Sequence, residues 1–493
     1  MKNIAKYLLV GITTLGFLHS CEDYLDVNQD PNNPSSEVVQ PEIVLAATQV
    51  YTYRTLSRDM NQLGNLMMNN WTRDVGVSNS SYYFNERTYN VTSEFYSAIW
   101  ENLYLRTSNY TFIQNTQAEG YDYYKAIANI MKSFYFQYLV DLYGDLPYSE
   151  AHKRGDNLTP TYDDDMEVYR DLIVQIDEAI ELIDNAPAGT INPGSNDVML
   201  NGDMDMWRKF ANTLKLRILL RESEKASSAT YVSQQMATLN GAEFLGPNDN
   251  VFINPGFTAA QDKQNPFAAL FLNINDAFVN NYSSTAATKY TITYLTNTND
   301  ARRNRIYDAA SNGTYDGHTQ GDILTPATNY PVSHIGPGLL IDSSQDGIVF
   351  TAAESLLLQA EAVQRGLLTG SAQDLYESGI TESYKLLGLT AADASAYYSQ
   401  TLPLVGWSGS AGNEIEAIIN QKWIALNGIN GAESWIEYTR TGFPSHVPIS
   451  PVAIRPQRPV RLLYPSSEIL GNTANVPQQD ESEAFTNRVF WNE

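Results

Sequence analysis

The segment AESLLLQAEAVQRGLLTGSAQDLYESGITESYKLLG, residues 353–388, reads as two amphipathic helices broken at Gly366. Apolar side chains recur at helical spacing on both sides of the break, as one buried helix face requires. Ala360, Ala372 and Gly379 are small, and Tyr376 is the large aromatic among them. Small residues at such places let two antiparallel helices approach closely.

That small, small, large-aromatic, small spacing is the one found in tetratricopeptide hairpins. The rest of the chain repeats the theme of long helical blocks. YRDLIVQIDEAIELID puts Tyr169, Leu172, Ile173, Ile176, Ile180 and Ile183 on one face. Asp163, Asp164 and Asp165 precede it, where carboxylates complement the helix dipole. A calcium site is the competing reading of that triplet. GDMDMWRKFANTLKLRILLR stacks Trp207, Phe210, Ala211, Leu214 and Ile218, with acids at its start and Arg217 and Arg221 at its end. YYKAIANIMKSFYFQYLVDLYGDLPYSEA is a further helix that ends at a Gly-Asp-Leu-Pro turn. The whole reads as mostly α, built from solenoid-like helical hairpins.

Between about Gly246 and Gly347 the helical signal is interrupted by NPGF, SNGTYDGHTQGD and HIGPG. TKYTITYLT within it fits a strand or a helix start equally well. Long loops inserted in a helical scaffold are where binding residues sit. From Pro444 the chain is again Pro-rich and reads as extended chain laid over the helices.

The single cysteine, Cys21, lies at the end of an export-type segment. Lys2 and Lys6 precede an apolar core from Tyr7 to Leu18, which is shorter than the ~20 residues a bilayer span needs. Leu18-His19-Ser20-Cys21 resembles a lipobox, so the reading assigns 1–20 to a lipoprotein signal peptide and Cys21 to lipidation. Two acyl chains contribute ~0.8 kcal/mol per buried CH₂, enough for a stable anchor. Glu22 and Asp23 resemble a surface-export signal, and residues 21–36, which contain NQDPNNPSS, form a polar tether. Residues 37–493 form the remaining domain.

The formal net charge is −25, and it becomes more negative once Lys2 and Lys6 are removed. Such an excess of acid argues against nucleic acid as a partner, because phosphate contacts rely on Lys and Arg. The chain has no phosphate-cradling Gly-rich loop ending in Gly-Lys, no His-Glu-x-x-His pair and no Gly-x-Ser-x-Gly elbow. His152, His318, His334 and His446 lie at no metal-ligand spacing, and neither a metal nor a cofactor is expected. A glycosidase-type pair of acids is a spatial arrangement that sequence does not reveal.

Five segments then carry a resemblance: DLYGDLPYSEA, GDMDMWRKFANTLKLRILLR, AEAVQRG, QKWIALNGINGAESWIEYTRTGFP and RLLYPSSEILGNTANV. In this order, behind a lipobox, they resemble the SusD/RagB nutrient-binding outer-membrane lipoproteins of Bacteroidota. One departure is NDARRNRIYD, where Ala301 stands at a position that is often proline in that family. The resemblance implies a SusD-like scaffold with tetratricopeptide-type hairpins on one side and a loop-rich ligand-binding half on the other. It implies a protein on the extracellular face of the outer membrane, partnered with a SusC-like TonB-dependent transporter. The implied ligand is an oligosaccharide or, in some members, a peptide, and the implied activity is capture without catalysis. The alternative is a lipid-anchored, all-helical glycosidase or lyase, marked by a buried carboxylate of raised pKa facing a groove. Gly144, Pro147, Trp207, Trp423, Trp435 and Tyr464 fall in the matching motifs and read as scaffold.

Sugar binding needs exposed aromatic faces with polar side chains beside them. NNWTRDVGVSNSSYYFNERTYN has that composition, with Trp71, Tyr82 and Tyr83 among Arg73, Asp74, Asn79 and Asn85. Tyr282, Tyr315 and Tyr330 in the middle region form the second candidate group. Trp100, at helical spacing with Tyr104, reads as core.

Overall fold

A computed structural model describes residues 40–322 and 330–492. Cys21, the signal segment and the tether to Ser36 lie outside the described residues.

Helices dominate. They include α1 (Pro41–Thr55), α2 (Asn61–Met67), α3 (Ser97–Gln114), α4 (Asp122–Tyr143), α5 (Asp165–Asp184) and α6 (Met204–Glu222). The loop-rich middle holds α7 (Lys289–Asn297), and after it come α8 (Ala352–Gln364), α9 (Ala372–Leu386), α10 (Glu414–Ala425) and α11 (Gly431–Thr441). Each packs on the next in a continuous series: α1 on α3, α3 on α4, α4 on α5, α5 on α6, α6 on α8, and α8 on α9 and α10. α11 returns to α2.

The hairpin read from residues 353–388 is α8 and α9. Gly366 lies between them at φ +72°, a left-handed conformation that glycine adopts without strain. A Cβ on Gly379 would come within 2.8 Å of Leu357 Cγ, so the small residue is what lets α9 lie against α8. Tyr376 is fully buried and donates to the Val405 carbonyl at 2.8 Å. α5 buries Tyr169, Leu172, Ile173, Ile176 and Ile183 as its spacing predicts, while Ile180 is only half-buried. α4 is the central helix. From Ala126 to Tyr143 every residue except Lys132 is buried, as expected for a helix enclosed on all sides. The scaffold residues Gly144, Pro147, Trp207, Trp423, Trp435 and Tyr464 are all buried.

Arg217 and Arg221 do more than close α6. Both are fully buried in a network of ions contributed by five helices. Arg217 reaches Glu354 at 3.2 Å, Arg221 reaches Glu433 at 2.6 Å and also pairs with Asp141 and Glu437, and Lys422 reaches Glu433 at 2.7 Å. Arg440 adds Glu361 and Glu437, each at 2.8 Å. Burial opposes the charge on Glu433, but Arg221, Lys422 and Arg217 outweigh it and hold the carboxyl far below the usual range. Buried ions survive only when paired in this way.

TKYTITYLT is helical: Thr288 caps α7 by accepting from the Thr291 N–H at 3.2 Å. The middle region also supplies short strands. β1 (Trp71–Arg73) pairs antiparallel with Thr285–Ala287, and Val251–Ile253 pairs with Gly347–Phe350. The C-terminal chain lies over the helices. The Leu462 N–H donates to the Leu142 carbonyl at 2.7 Å, and Trp491 Nε1 donates to Asp141 at 3.0 Å. No described helix is long and apolar enough to cross a membrane.

Candidate functional site

The pairing of β1 with Thr285–Ala287 brings the 71–85 loop onto the middle region, in the register Trp71–Ala287, Thr72–Ala286 and Arg73–Thr285. The Asp74 N–H then donates to the Ser284 carbonyl at 2.9 Å. Tyr83 and Thr285 share a hydroxyl–hydroxyl hydrogen bond at 2.8 Å, and Tyr82 bonds Asn281. Of the candidate ligand residues, Trp71, Arg73, Asp74, Tyr82, Tyr83, Tyr282 and Tyr330 gather around this junction. Tyr315 stands apart, half-buried, with the Arg303 guanidinium 4.5 Å from its ring centre.

Gathering is not exposure. Trp71 is 1% exposed, its ring edge-on to Phe271 at 6.0 Å. Trp71 offers no open aromatic face, because it lies on a strand and its ring packs into the core against Phe271 rather than standing on the loop tip. Arg73 is buried too, donating to the carbonyls of Ser78 and Asp322 at 3.2 and 3.1 Å. Tyr83 is buried beneath Tyr82, with ring centres 4.3 Å apart. Tyr82 is half-buried, and Asn79 and Asn85 are exposed. These residues fix the loop; its open surface belongs to Val77, Phe84 and the polar residues beside them, with the Arg87 guanidinium 5.2 Å from the Phe84 ring centre.

Asp74 is the polar centre of the junction. It accepts from the Gly76 N–H at 2.7 Å, and His318 Nε2 and His334 Nε2 face its two oxygens at 3.3 and 3.6 Å. Burial opposes its charge, but the His318 and Gly76 bonds and the nearby His334 prevail, so the carboxyl lies below the usual range. Tyr330 packs its ring 5.1 Å from His318 and donates to the Gly317 carbonyl at 3.1 Å.

The most exposed aromatic ring among the described residues is Phe278, which the sequence reading passed over. It is 61% exposed and lies flat on Tyr282, with ring centres 3.8 Å apart and planes 7° from parallel. Tyr282 is itself pinned, donating to Asp308 at 2.7 Å, with the His334 ring 5.2 Å away. Asp308 also accepts from the His334 N–H at 2.7 Å, and His334 Nδ1 meets the Thr285 carbonyl at 2.8 Å. The result is an open aromatic plate on a rigid base, with half-buried Asn281, Asp308 and His334 supplying amide, carboxylate and imidazole groups. The available signal was the four-residue spacing of Phe278 and Tyr282 in NINDAFVNNYSS.

The acidic triplet divides its work. Asp164 caps α5 by accepting from the N–H groups of Met166 and Glu167, each at 3.1 Å. Asp163 instead accepts from the N–H groups of Tyr148 and Ser149. Asp145, Asp164 and Asp165 bring carboxylate oxygens within 4.8 Å of one another beside a cleft of about 360 Å³. Burial, with Asp145 and Asp164 adding to it, pushes Asp165 up to about 6.

Comparison with known proteins places this geometry. No curated protein matches the chain by sequence. Among solved structures, a chitin-binding SusD homolog from Flavobacterium johnsoniae is 24% identical, with 91% of this chain and 97% of that one covered at a TM-score of 0.70. A SusD/RagB family protein from Bacteroides thetaiotaomicron is 20% identical, with 92% and 99% covered at 0.73. A SusD-like protein from the same organism is 22% identical, with 92% and 98% covered at 0.73. These likenesses establish a shared fold. The family model described as SusD-like, starch-binding associating with outer membrane, matches residues 31–465, and the chain therefore belongs to the SusD-like family.

Proposed function

We propose that this chain is a cell-surface glycan-capture lipoprotein, anchored through acylated Cys21, that binds oligosaccharides and passes them to a SusC-like TonB-dependent transporter without cleaving them. The observation that carries the ligand class is the Phe278 plate: a 61% exposed ring, stacked on Tyr282 and bordered by Asn281, Asp308 and His334. Pyranose C–H groups pack on such a face while hydroxyls reach the polar border. The solved relative named as chitin-binding supports a glycan as the ligand class, and a peptide is the alternative ligand. Residues 1–20 act as the signal and 21–36 as the tether that holds the domain off the outer membrane.

Asp165 meets the criterion set for an enzyme, since it is raised to about 6 and lines a cleft. Its Oδ2 is engaged by the Phe490 N–H at 3.0 Å, and the cleft also contains the buried Arg461 and Tyr464. We read it as a scaffold acid. The test is to incubate the full-length protein with polysaccharides, oligosaccharides and peptide digests, recording heat of binding and product release. Glycan binding without new products supports capture; new products would establish an enzyme, and binding of peptides alone would replace the glycan.

A further inference from the structure

A second aromatic surface lies outside the junction described above. α7 presents Tyr290 and Tyr294 four residues apart, hence on one face, along a groove of about 390 Å³. That is the size of a small-ligand pocket, at the lower end of the ~300–1,000 Å³ range. The hydroxyls of both tyrosines are already engaged: Tyr290 bonds His446 Nδ1, and Tyr294 accepts from Asn420 at 2.8 Å. His446 also lies almost parallel to the Tyr294 ring, 5.0 Å centre to centre and 22° from coplanar. The rings are therefore held in place by their polar tips; His446 covers one face of Tyr294, and the ring surfaces that line the groove remain for a ligand.

The rest of the lining is mixed, with Pro448, Ile449 and Pro451 beside polar side chains. Asn69 and Gln320 are buried amides lining the groove, and Thr293, Thr319 and Lys289 stand exposed at its rim. Asn69 has a left-handed backbone, φ +59°, which an L side chain seldom adopts. The hydroxyls of Thr288 and Thr291 both donate to its carbonyl and hold it there. Non-glycine residues held in this way cluster at ligand sites. The groove lies close to the junction: buried Thr288 bridges buried His318, whose side chain faces Asp74, while the next residue, Thr319, lines the groove.

We infer that this groove is a second glycan subsite, taking a pyranose unit further along the same oligosaccharide whose other end rests on Phe278. The inference rests on the glycan-capture reading and extends it, since it makes affinity depend on chain length. Asn69 and Gln320 bond each other and the carbonyls of Pro448 and Leu66, so the polar groups open to a ligand are the exposed Lys289, Thr293, Asn297 and Thr319; aromatic faces with such a rim suit a neutral sugar ring.

The test uses full-length protein in detergent, titrated calorimetrically with maltoheptaose, chitohexaose and the corresponding disaccharides. Thr293→Trp and Asn297→Trp each fill the groove from an exposed position on α7, so they leave the packed rings alone. Each is expected to weaken binding of the long glycan about five- to tenfold, one aromatic contact's worth, with disaccharide affinity unchanged. If both variants bind the long glycan like the parent while Phe278→Ala loses affinity, the second subsite is wrong and the capture reading stands. Equal losses for long and short glycans would also overturn it. If the parent binds none of these sugars, both readings fall together.

Discussion

Gly64 and Gly431, far apart in the chain, touch backbone to backbone. A Cβ placed on Gly64 would lie 1.8 Å from the Gly431 carbonyl carbon, and one on Gly431 would lie 2.4 Å from the Asn65 nitrogen. Hydrogen bonds seal the contact. Asn61 accepts from the Gly431 N–H at 3.0 Å and donates to the Gly428 carbonyl at 2.9 Å, and Asn65 accepts from the Gly428 N–H at 2.9 Å. Gly64→Ala should therefore destabilise by more than ~3 kcal/mol, since backbone cannot yield as a side chain does. Gly471→Ala, with open space around it, should change stability by less than ~0.5 kcal/mol. Urea midpoints of the two variants check this, and equal midpoints would refute it.

Trp71→Ala separates a packing role from a ligand-contact role for this ring. With its ring buried against Phe271, its removal should cost about 3–5 kcal/mol of stability. A variant as stable as the parent that no longer binds glycan would return Trp71 to the ligand surface.

Phe278→Ala should do the opposite. The ring is largely exposed, so the melting temperature should hardly move, while glycan affinity falls about five- to tenfold. Titration of parent and variant with the same oligosaccharide decides, and unchanged affinity removes the plate from the site.

Glu361 gives a pH prediction. Burial opposes its charge, but Arg440 and Arg365 outweigh it and hold its carboxyl at about 2, below the ordinary 4.5. A depressed folded pKa contributes stability above the unfolded value, and that stability is lost as pH falls from about 4.5 towards 2. Glu361→Gln should therefore cost ~3 kcal/mol at pH 7 and much less near pH 2. Stability curves for parent and variant that stay parallel across this window would disprove the pairing.

Asp165 has the reverse sign. Its carboxyl, raised to about 6 from 3.8, is better tolerated in the fold when protonated, so the folded state loses stability as pH rises through that interval. Asp165→Asn keeps an acceptor for the Phe490 N–H and cannot ionise. It should be ~2 kcal/mol more stable than the parent above pH 6, with the advantage gone below pH 4. Denaturant titrations at pH 4 and pH 7 measure the difference; an advantage of the same size at both would refute it.

The helices were legible because their apolar spacing is local. Tyr169 to Ile183 and Trp207 to Ile218 declared a buried face within twenty residues each, and Gly366 declared the break in the hairpin. The ligand surface was less so. What buries Trp71 is packing against Phe271, two hundred residues away in the chain, a partner no local pattern announces. What exposes Phe278 is that Tyr282 occupies the inner position beneath it; at four-residue spacing the two rings look like any core pair. Arg217 and Arg221 looked like a helix end because their acids, Glu354 and Glu433, lie on α8 and α11.

The Gly64–Gly431 contact also sets an order of events during synthesis. The asparagine face of α2 meets its distant partners only when residues 428–431 have been made, so through most of its elongation a nascent chain offers Asn61 and Asn65 only the local bonds among Asn61, Asn65 and Asn70. Contacts of such long sequence separation close late, because loop-closure entropy must be met first. The first and last parts of the chain thus join after nearly all of it has emerged, and a truncation short of residue 428 would remove the seam altogether.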